Sequence, residues 1–336
     1  MFSELVDVKE NGLVNIDQEL LSILLKDRTT NKNIIWATDM HEERGNQYLS
    51  DSQITISAIT GYYGQVIKPR TKKSKKEQML RSREKAEVFT PSWICNEQNN
   101  IVDDNWFGYP NVFNIPHKNG WKTNEKKIVF TKGKTWIDYV KSIRLEISCG
   151  EAPYLVSRYD SVTGEIIPTY SRIGLLDRKF RVINENAITN EEWNKYVEIA
   201  YKSIYGYEWQ GDSLLIAREN LLYTYTDYYY ERYKKKPSLD EVKKIAEIIS
   251  WNIFQMDGMK FVIPNSCKNE VKIDYTIFGT EETKIECHGC KKDNYNYHNG
   301  IYVKIMNWET NRKIKFISLL KGRKWGFNNE RYVIIR

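Results

Sequence analysis

No run in this chain approaches the ~18 consecutive apolar residues that a membrane-spanning helix needs. Residues 1–10 mix acids with apolar side chains and lack the basic-then-apolar pattern of a secretory signal. These absences predict a soluble, cytoplasmic protein with no membrane partner. Only five cysteines are spread over 336 residues, too few for a disulfide framework in a chain of this length. There is no internal repeat, and no compositional bias beyond one basic run.

What is present suits one large or two modest globular domains, since 41% of residues are hydrophobic and 28% charged. The 51 Lys and Arg outnumber the 44 Asp and Glu, a net +7 that permits a nucleic-acid partner without requiring one. The 23 tyrosines and 10 tryptophans include rings that could stack on bases, although most are expected to fill cores and cover surfaces.

Residues 1–67 read as an N-terminal accessory segment, with a short helix at 20–25 and a strand or buried turn at 33–38. Residues 68–85 read as a basic linker that includes Lys72, Lys73, Lys75 and Lys76. Such a run is either a solvated loop or an arm that contacts DNA phosphates. From 86 to 265 strand-like and helix-like stretches alternate. Strands are expected at 142–147 and 261–263, a helix end running into a strand over 200–207, and helices at 213–230 and 239–251. Ser238 with Glu241 three residues on is a capping box for the last of these. Residues 301–336 read as terminal strands, at 314–317 and 332–335. This alternation predicts an α/β fold with a mostly parallel, doubly wound sheet and helices on both faces.

Residues 266–300 form a small Cys-rich insert. Cys287 and Cys290 have knuckle spacing, and Cys267 and His298 lie on flanking loops among turn-forming residues. Four protein ligands would make a structural zinc site; the other reading is free thiols with a surface histidine.

The segment from Leu145 to Leu155 combines a strand, an acid at Glu146, small residues at Ser148, Cys149 and Gly150, and Pro153-Tyr154-Leu155 entering a helix. Small residues let backbone approach a ligand, and a helix N-terminus favours anionic groups. This segment resembles motif I of adenine-N6 DNA methyltransferases of restriction–modification systems (their modification, or M, subunits). The resemblance implies a Rossmann-like fold that binds S-adenosylmethionine, with Glu146, Cys149, Gly150 and Pro153 around the cofactor. Ala152 stands where a second glycine is common in the family. Upstream, Phe89-Thr90-Pro91 is similar to motif X, which packs beside the cofactor. Downstream, Tyr205-Gly206-Tyr207-Glu208 followed by Ala217-Arg218 and Asn220-Leu221 resembles motif II. Glu208 would then accept the ribose hydroxyls, with Asp177 as the competing candidate. Phe254-Gln255-Met256-Asp257 resembles motif III and implies that Asp257 accepts the adenine amino group. Asp212 is the alternative if Asp177 takes the ribose.

Motif IV, the Asn-Pro-Pro-Tyr that holds the flipped base, does not occur in the sequence. The resemblance therefore assigns no catalytic residue and leads to a cofactor-binding part completed by a second chain carrying motif IV and target recognition. On that expectation this chain alone does not methylate DNA. The alternatives are a catalytically inactive homologue that binds DNA or a partner in defence or anti-defence, and a methyltransferase acting on another substrate.

Overall fold

A computed structural model describes residues 10–85, 87–131, 133–276, 279–320 and 332–335. The helices are α1 (Glu10–Ile16), α2 (Gln18–Leu25), α3 (Ile56–Ile59), α4 (Lys75–Lys85), α5 (Ser92–Phe107), α6 (Trp136–Lys141), α7 (Leu175–Asn186), α8 (Asn190–Lys202), α9 (Gly211–Tyr233), α10 (Leu239–Asn252) and α11 (His288–Lys291). The strands are β1 (Asn114–His117), β2 (Gly120–Thr123), β3 (Ile143–Ile147), β4 (Ile204–Glu208), β5 (Ile253–Gln255), β6 (Glu270–Thr276), β7 (Gly279–Ile285), β8 (Lys304–Asn307), β9 (Arg312–Lys315) and β10 (Tyr332–Ile335).

Local chemistry explains several boundaries. Ser238 and Glu241 exchange both hydrogen bonds of a capping box at the start of α10. Thr135 and Asp138 do the same for α6, and the Thr189 hydroxyl accepts the Glu192 N–H at the start of α8. Helix α9 is buried over almost its whole length. Its polar residues are therefore internal partners. Arg218 donates to the carbonyls of Ile253, Lys26 and Ser250, and Asn220 donates to the Glu151 carbonyl.

Strands β3, β4 and β5 form a parallel sheet in that order, and β10 adds to it beside β3. Helices α7 and α8 lie in the connection from β3 to β4, and α9 and α10 in that from β4 to β5. Strand alternation gives the sheet two distinct faces. Ile204 and Ile253 join the large core shared with α2, α7, α8, α9 and α10. Tyr207 and Phe254, with Leu145, Ile147 and Tyr205 beside them, pack against Val303, Ile305 and Phe316. This face is thus covered by the β8–β9 hairpin and the turn after it, where the sequence pattern anticipates a helix.

Three other expectations are corrected. Residues 314–317 do not extend the central sheet: β9 pairs antiparallel with β8, and Phe316–Leu319 is a 3-10 turn. Residues 261–263 make only isolated bridges, because Phe261 has φ 59° and bends the chain before Val262 pairs with Asp257 and Tyr302. The stretch read as a linker instead forms a 3-10 turn at Arg70–Lys72 and helix α4.

Candidate cofactor edge and candidate metal centre

Strands β3 and β4 end side by side, in the register Glu146 with Gly206 and Ile147 with Tyr207. After β3 the backbone turns through three left-handed residues, Ser148 (φ 48°), Gly150 (φ 53°) and Ala152 (φ 63°). That alternation is incompatible with a helix, so the one expected to begin near Pro153 does not form; residues 153–155 are a turn and the next helix is α7. Cys149 is buried in this turn, and its N–H donates to the Tyr207 carbonyl at 2.8 Å.

The two acids hold the turn from opposite sides. The buried Glu146 carboxylate accepts the Leu155 N–H at 3.2 Å. Glu208 accepts from Gly150 through Oε2 at 2.8 Å, and from Trp209 and Gln210 through Oε1 at 2.8 and 3.1 Å. Burial pushes the Glu146 carboxyl well above the usual carboxylate range; the Tyr154 and Leu155 N–H groups oppose this, and nearby Glu208 adds to it. Burial raises Glu208 too, against the pull of its three N–H donors. A carboxylate offers about four lone-pair positions, so these bonds leave Glu208 roughly one at Oε2.

Of Phe89, Thr90 and Pro91, Thr90 touches the connection after β3 beyond this turn, at Ser161. The Thr90 carbonyl accepts the Ser161 hydroxyl at 2.9 Å, and Pro91 precedes α5, whose Ser92 N–H donates to Asp160 at 2.7 Å. The Phe89 ring sits 5.0 Å from the Arg70 guanidinium carbon. Asp257 follows β5; its Oδ1 accepts the Met259 and Lys260 N–H groups at 2.9 and 3.1 Å, and its Oδ2 faces the Lys260 ammonium at 3.9 Å. The competing candidates have other duties. Asp177 belongs to the first turn of α7, not to a strand end, and caps it by accepting from Gly174 and Ser157. Asp212 is buried in the first turn of α9 and ion-paired with Arg81.

The basic run contributes to this edge in a way the sequence did not reveal. Arg81 is buried, donating to Glu87 and Asp212. Lys73 is only 8% exposed and stands 3.9 Å from Asp212. Both facts correct the reading of Lys73 as a surface phosphate contact, whereas Lys72, Lys75 and Lys76 are exposed. Burial acts to raise Asp212, but Arg81 and Lys73 hold its carboxyl far below the usual range. Glu151 completes the group, accepting the Arg70 N–H at 2.6 Å and the Tyr159 hydroxyl at 2.7 Å.

Cys267, Cys287, Cys290 and His298 converge, with their ligand atoms all within 4.8 Å of one another. The His298 Nδ1 lies 3.7, 3.8 and 3.6 Å from the sulfurs of Cys267, Cys287 and Cys290. A tetrahedral zinc with bonds of about 2.3 Å to sulfur and about 2.0–2.1 Å to nitrogen separates the two atom types by roughly 3.6 Å. None of the five cysteines is in a disulfide. These four residues could hold a metal ion.

The cluster is tied to its surroundings by groups outside the ligand set. The Asn299 N–H donates to the Cys287 sulfur at 3.3 Å, and the His298 N–H donates to the Tyr302 hydroxyl at 3.0 Å. Gly289 cannot carry a side chain: a Cβ there would stand 2.6 Å from His298 N and Nδ1. Burial works to raise the Cys287 thiol, but N–H groups of Asn299 and Cys290 and the His298 ring outweigh it and bring it down to about 6. Burial and the Cys290 and Cys287 sulfurs push Cys267 up to about 12. A cavity of about 260 Å³ joins the cluster to the sheet edge, with Trp209, Asp257, Lys260, Cys267, Cys287 and Cys290 among its walls.

Lys260, Gly289 and Tyr302 escaped the sequence reading because a lone lysine, glycine or tyrosine carries no spacing signal. The pairing of Arg81 with Asp212 escaped because the two are 131 residues apart. No family model matches this chain, and no curated protein or solved structure matches it.

Proposed function

We propose that the chain binds S-adenosylmethionine at the carboxyl ends of its parallel strands, as a doubly wound, Rossmann-like protein of the DNA adenine-N6 methyltransferase kind. One observation carries this reading: Glu146, Gly150 and Glu208 meet at the ends of adjacent parallel strands, joined by the Gly150–Glu208 hydrogen bond. The strand order β10-β3-β4-β5 supports it, because the direction of chain progress reverses between β3 and β10. Open parallel sheets bind ligands outside the carboxyl ends of their strands at such a reversal.

The residues present fit the group. The left-handed turn at Ser148–Gly150–Ala152 keeps its side chains small. Glu208 keeps acceptor capacity at Oε2 for a ribose hydroxyl, and Asp257 keeps Oδ2 for an adenine amino group. A buried ammonium, Lys73 Nζ, has no hydrogen-bond partner. When bound, the cofactor supplies an electrophilic methyl group. No residue of this chain is assigned to the target base, since the sequence contains no Asn-Pro-Pro-Tyr.

The metal assigned to the Cys267, Cys287, Cys290 and His298 cluster is zinc. Three thiolates and one imidazole suit it, and four protein ligands close the shell, so the site is structural. DNA is the proposed partner, held through phosphate by the exposed Lys72, Lys75 and Lys76.

Titration calorimetry with S-adenosylmethionine tests the central claim. Wild type binds, and Glu208→Ala binds roughly ten- to a hundredfold more weakly, the loss expected for a charged acceptor. Absence of binding by the folded wild type refutes the proposal.

A further inference from the structure

The β8–β9 hairpin packs on the central sheet through Ile305 and Ile314, which oppose each other across its two strands. Strand alternation turns the neighbouring pairs to the other face. There Lys304 stands directly opposite Lys315, and Lys313 opposite Met306. All three lysines are exposed. Directly opposed side chains have Cβ atoms about 5 Å apart, and like charges so placed destabilise a strand pair. Lys313 lies two residues, or about 6.8 Å, along the strand from Lys315.

Nothing nearby relieves this clustering. Among the described residues no carboxylate is ion-paired with any of the three, and the hairpin's one acid, Glu309, sits in its turn. The adjoining rings are already covered by the lysines. The Lys315 ammonium is 5.3 Å from the centre of the Tyr302 ring, and that of Lys313 is 5.0 Å from the buried Trp251 ring. The face therefore presents cations for phosphate rather than open rings on which splayed bases could stack. Tyr302 also places it in the fold. Its hydroxyl accepts the His298 N–H, and it bridges to Val262, which pairs with Asp257 after β5. The Lys304–Lys315 pair thus adjoins the carboxyl edge of the sheet.

We propose that this face of the β8–β9 hairpin, through Lys304, Lys313 and Lys315, receives the phosphate backbone of duplex DNA. The proposal rests on the DNA reading above and adds a second surface, separate in sequence from the basic run at 68–85. Charge complementarity carries it. Three long cations lack carboxylate partners, and two of them are held in opposition, so a polyanion laid along the hairpin relieves their repulsion. Such contacts position a duplex beside the sheet edge and read no bases.

The test is fluorescence anisotropy of a labelled duplex over a salt series, on the full chain. Replacing Lys304, Lys313 and Lys315 together by glutamine is expected to flatten the slope of log affinity against log salt by up to about 2.7. Replacing all three by arginine keeps the slope. A control triple, Lys118, Lys126 and Lys127 to glutamine, removes the same charge from exposed positions elsewhere and leaves the slope unchanged. The hairpin glutamine variant should also melt about 1 °C higher, since the opposed charges are gone. Loss of binding together with a lower melting temperature marks a structural role and overturns the proposal. So does a control triple that flattens the slope equally, which shows an effect of net charge alone. A hairpin variant with the wild-type slope overturns it while leaving the DNA reading to the run at 68–85. A wild type that binds phosphatidylserine vesicles or nothing, and no duplex, overturns both.

Discussion

The Glu208 carboxylate, at the end of β4, accepts the N–H of Gly150, in the turn that leaves β3, at 2.8 Å. Two strands that share a ladder are thus also locked together beyond its end. Glu208→Gln keeps an acceptor for the Trp209 and Gln210 N–H groups but turns an amide donor towards Gly150. The lost bond should cost about 1–3 kcal/mol in urea denaturation. Hydrogen exchange supplies the specific check: the Gly150 amide exchanges faster, while amides inside β3 and β4 are unchanged. Unaltered protection at Gly150 shows that this contact does not hold the turn.

Asp212 supplies a pH-dependent share of stability. Its folded carboxyl is held far below the ordinary value by Arg81 and Lys73, against the effect of burial. A depressed acid contributes stability that is fully present above its unfolded pKa of about 3.9 and is lost as pH falls towards its folded value. Asp212→Asn removes that share, leaving Arg81 with Glu87 as its remaining carboxylate and the buried Lys73 without its ion-pair partner, a loss of roughly 3–5 kcal/mol at pH 7. The gap between wild type and variant in denaturant titrations should narrow steadily below about pH 4. A gap independent of pH would mean that Asp212 acts through packing alone.

The sequence made visible what is specified locally. The capping box at Ser238 and Glu241 announces α10 because both hydrogen bonds lie within one turn. Cys287 and Cys290 carry knuckle spacing within four residues, and Cys267 and His298 do join them in a group that could hold a metal ion. What depends on distant partners stayed hidden. A run of lysines and arginines looks the same whether solvated or folded inwards. Asp212, Glu87 and the Gln210 side-chain oxygen explain why Arg81 is buried, and Asp212 stands beside the buried Lys73. Pro153-Tyr154-Leu155 looked like a helix start, but the left-handed Ala152 before it and the Glu146 carboxylate on the Leu155 N–H make a turn instead. Ile173-Gly174-Leu175-Leu176-Asp177 has the shape of a strand ending in an acid, yet Asp177 is the acid in the first turn of α7 that reaches back to the Gly174 N–H. A hydrophobic-glycine-hydrophobic-acid pattern does not distinguish those two outcomes.

Protein purified without added metal should contain about one zinc per chain, bound through the three thiolates and His298. Cys290→Ser should bring the zinc content close to zero. Chelator should lower the melting temperature of wild type towards that of the variant, because metal binding contributes folding free energy. The cluster adjoins the turn that carries Asp257: Val262 bridges to both Asp257 and Tyr302, and Tyr302 accepts from His298. Metal loss should therefore also speed exchange of the Met259 and Lys260 amides. Zinc-free protein with unchanged melting in chelator would leave these residues as ordinary thiols and an imidazole.

Lysines of one basic run should differ in their effect on DNA binding according to burial. Lys72, Lys75 and Lys76 are exposed, and Lys73 is buried beside Asp212. Each cation that neutralises a phosphate releases counterions, and the slope of log affinity against log salt is about −0.9 per contact on duplex DNA. Replacing Lys72, Lys75 and Lys76 by glutamine should flatten that slope by up to about 2.7. Affinity should fall to a similar extent on unrelated sequences, because long flexible cations on phosphate carry no base readout. Lys73→Gln should leave the slope unchanged while altering melting, since its ammonium is turned towards protein carboxylates. Fluorescence anisotropy over a salt series, with two unrelated duplexes, measures all of these quantities. A triple variant with the wild-type slope would free the basic run from any role in DNA binding. A change of slope in Lys73→Gln would show that the segment opens to deliver that lysine to DNA.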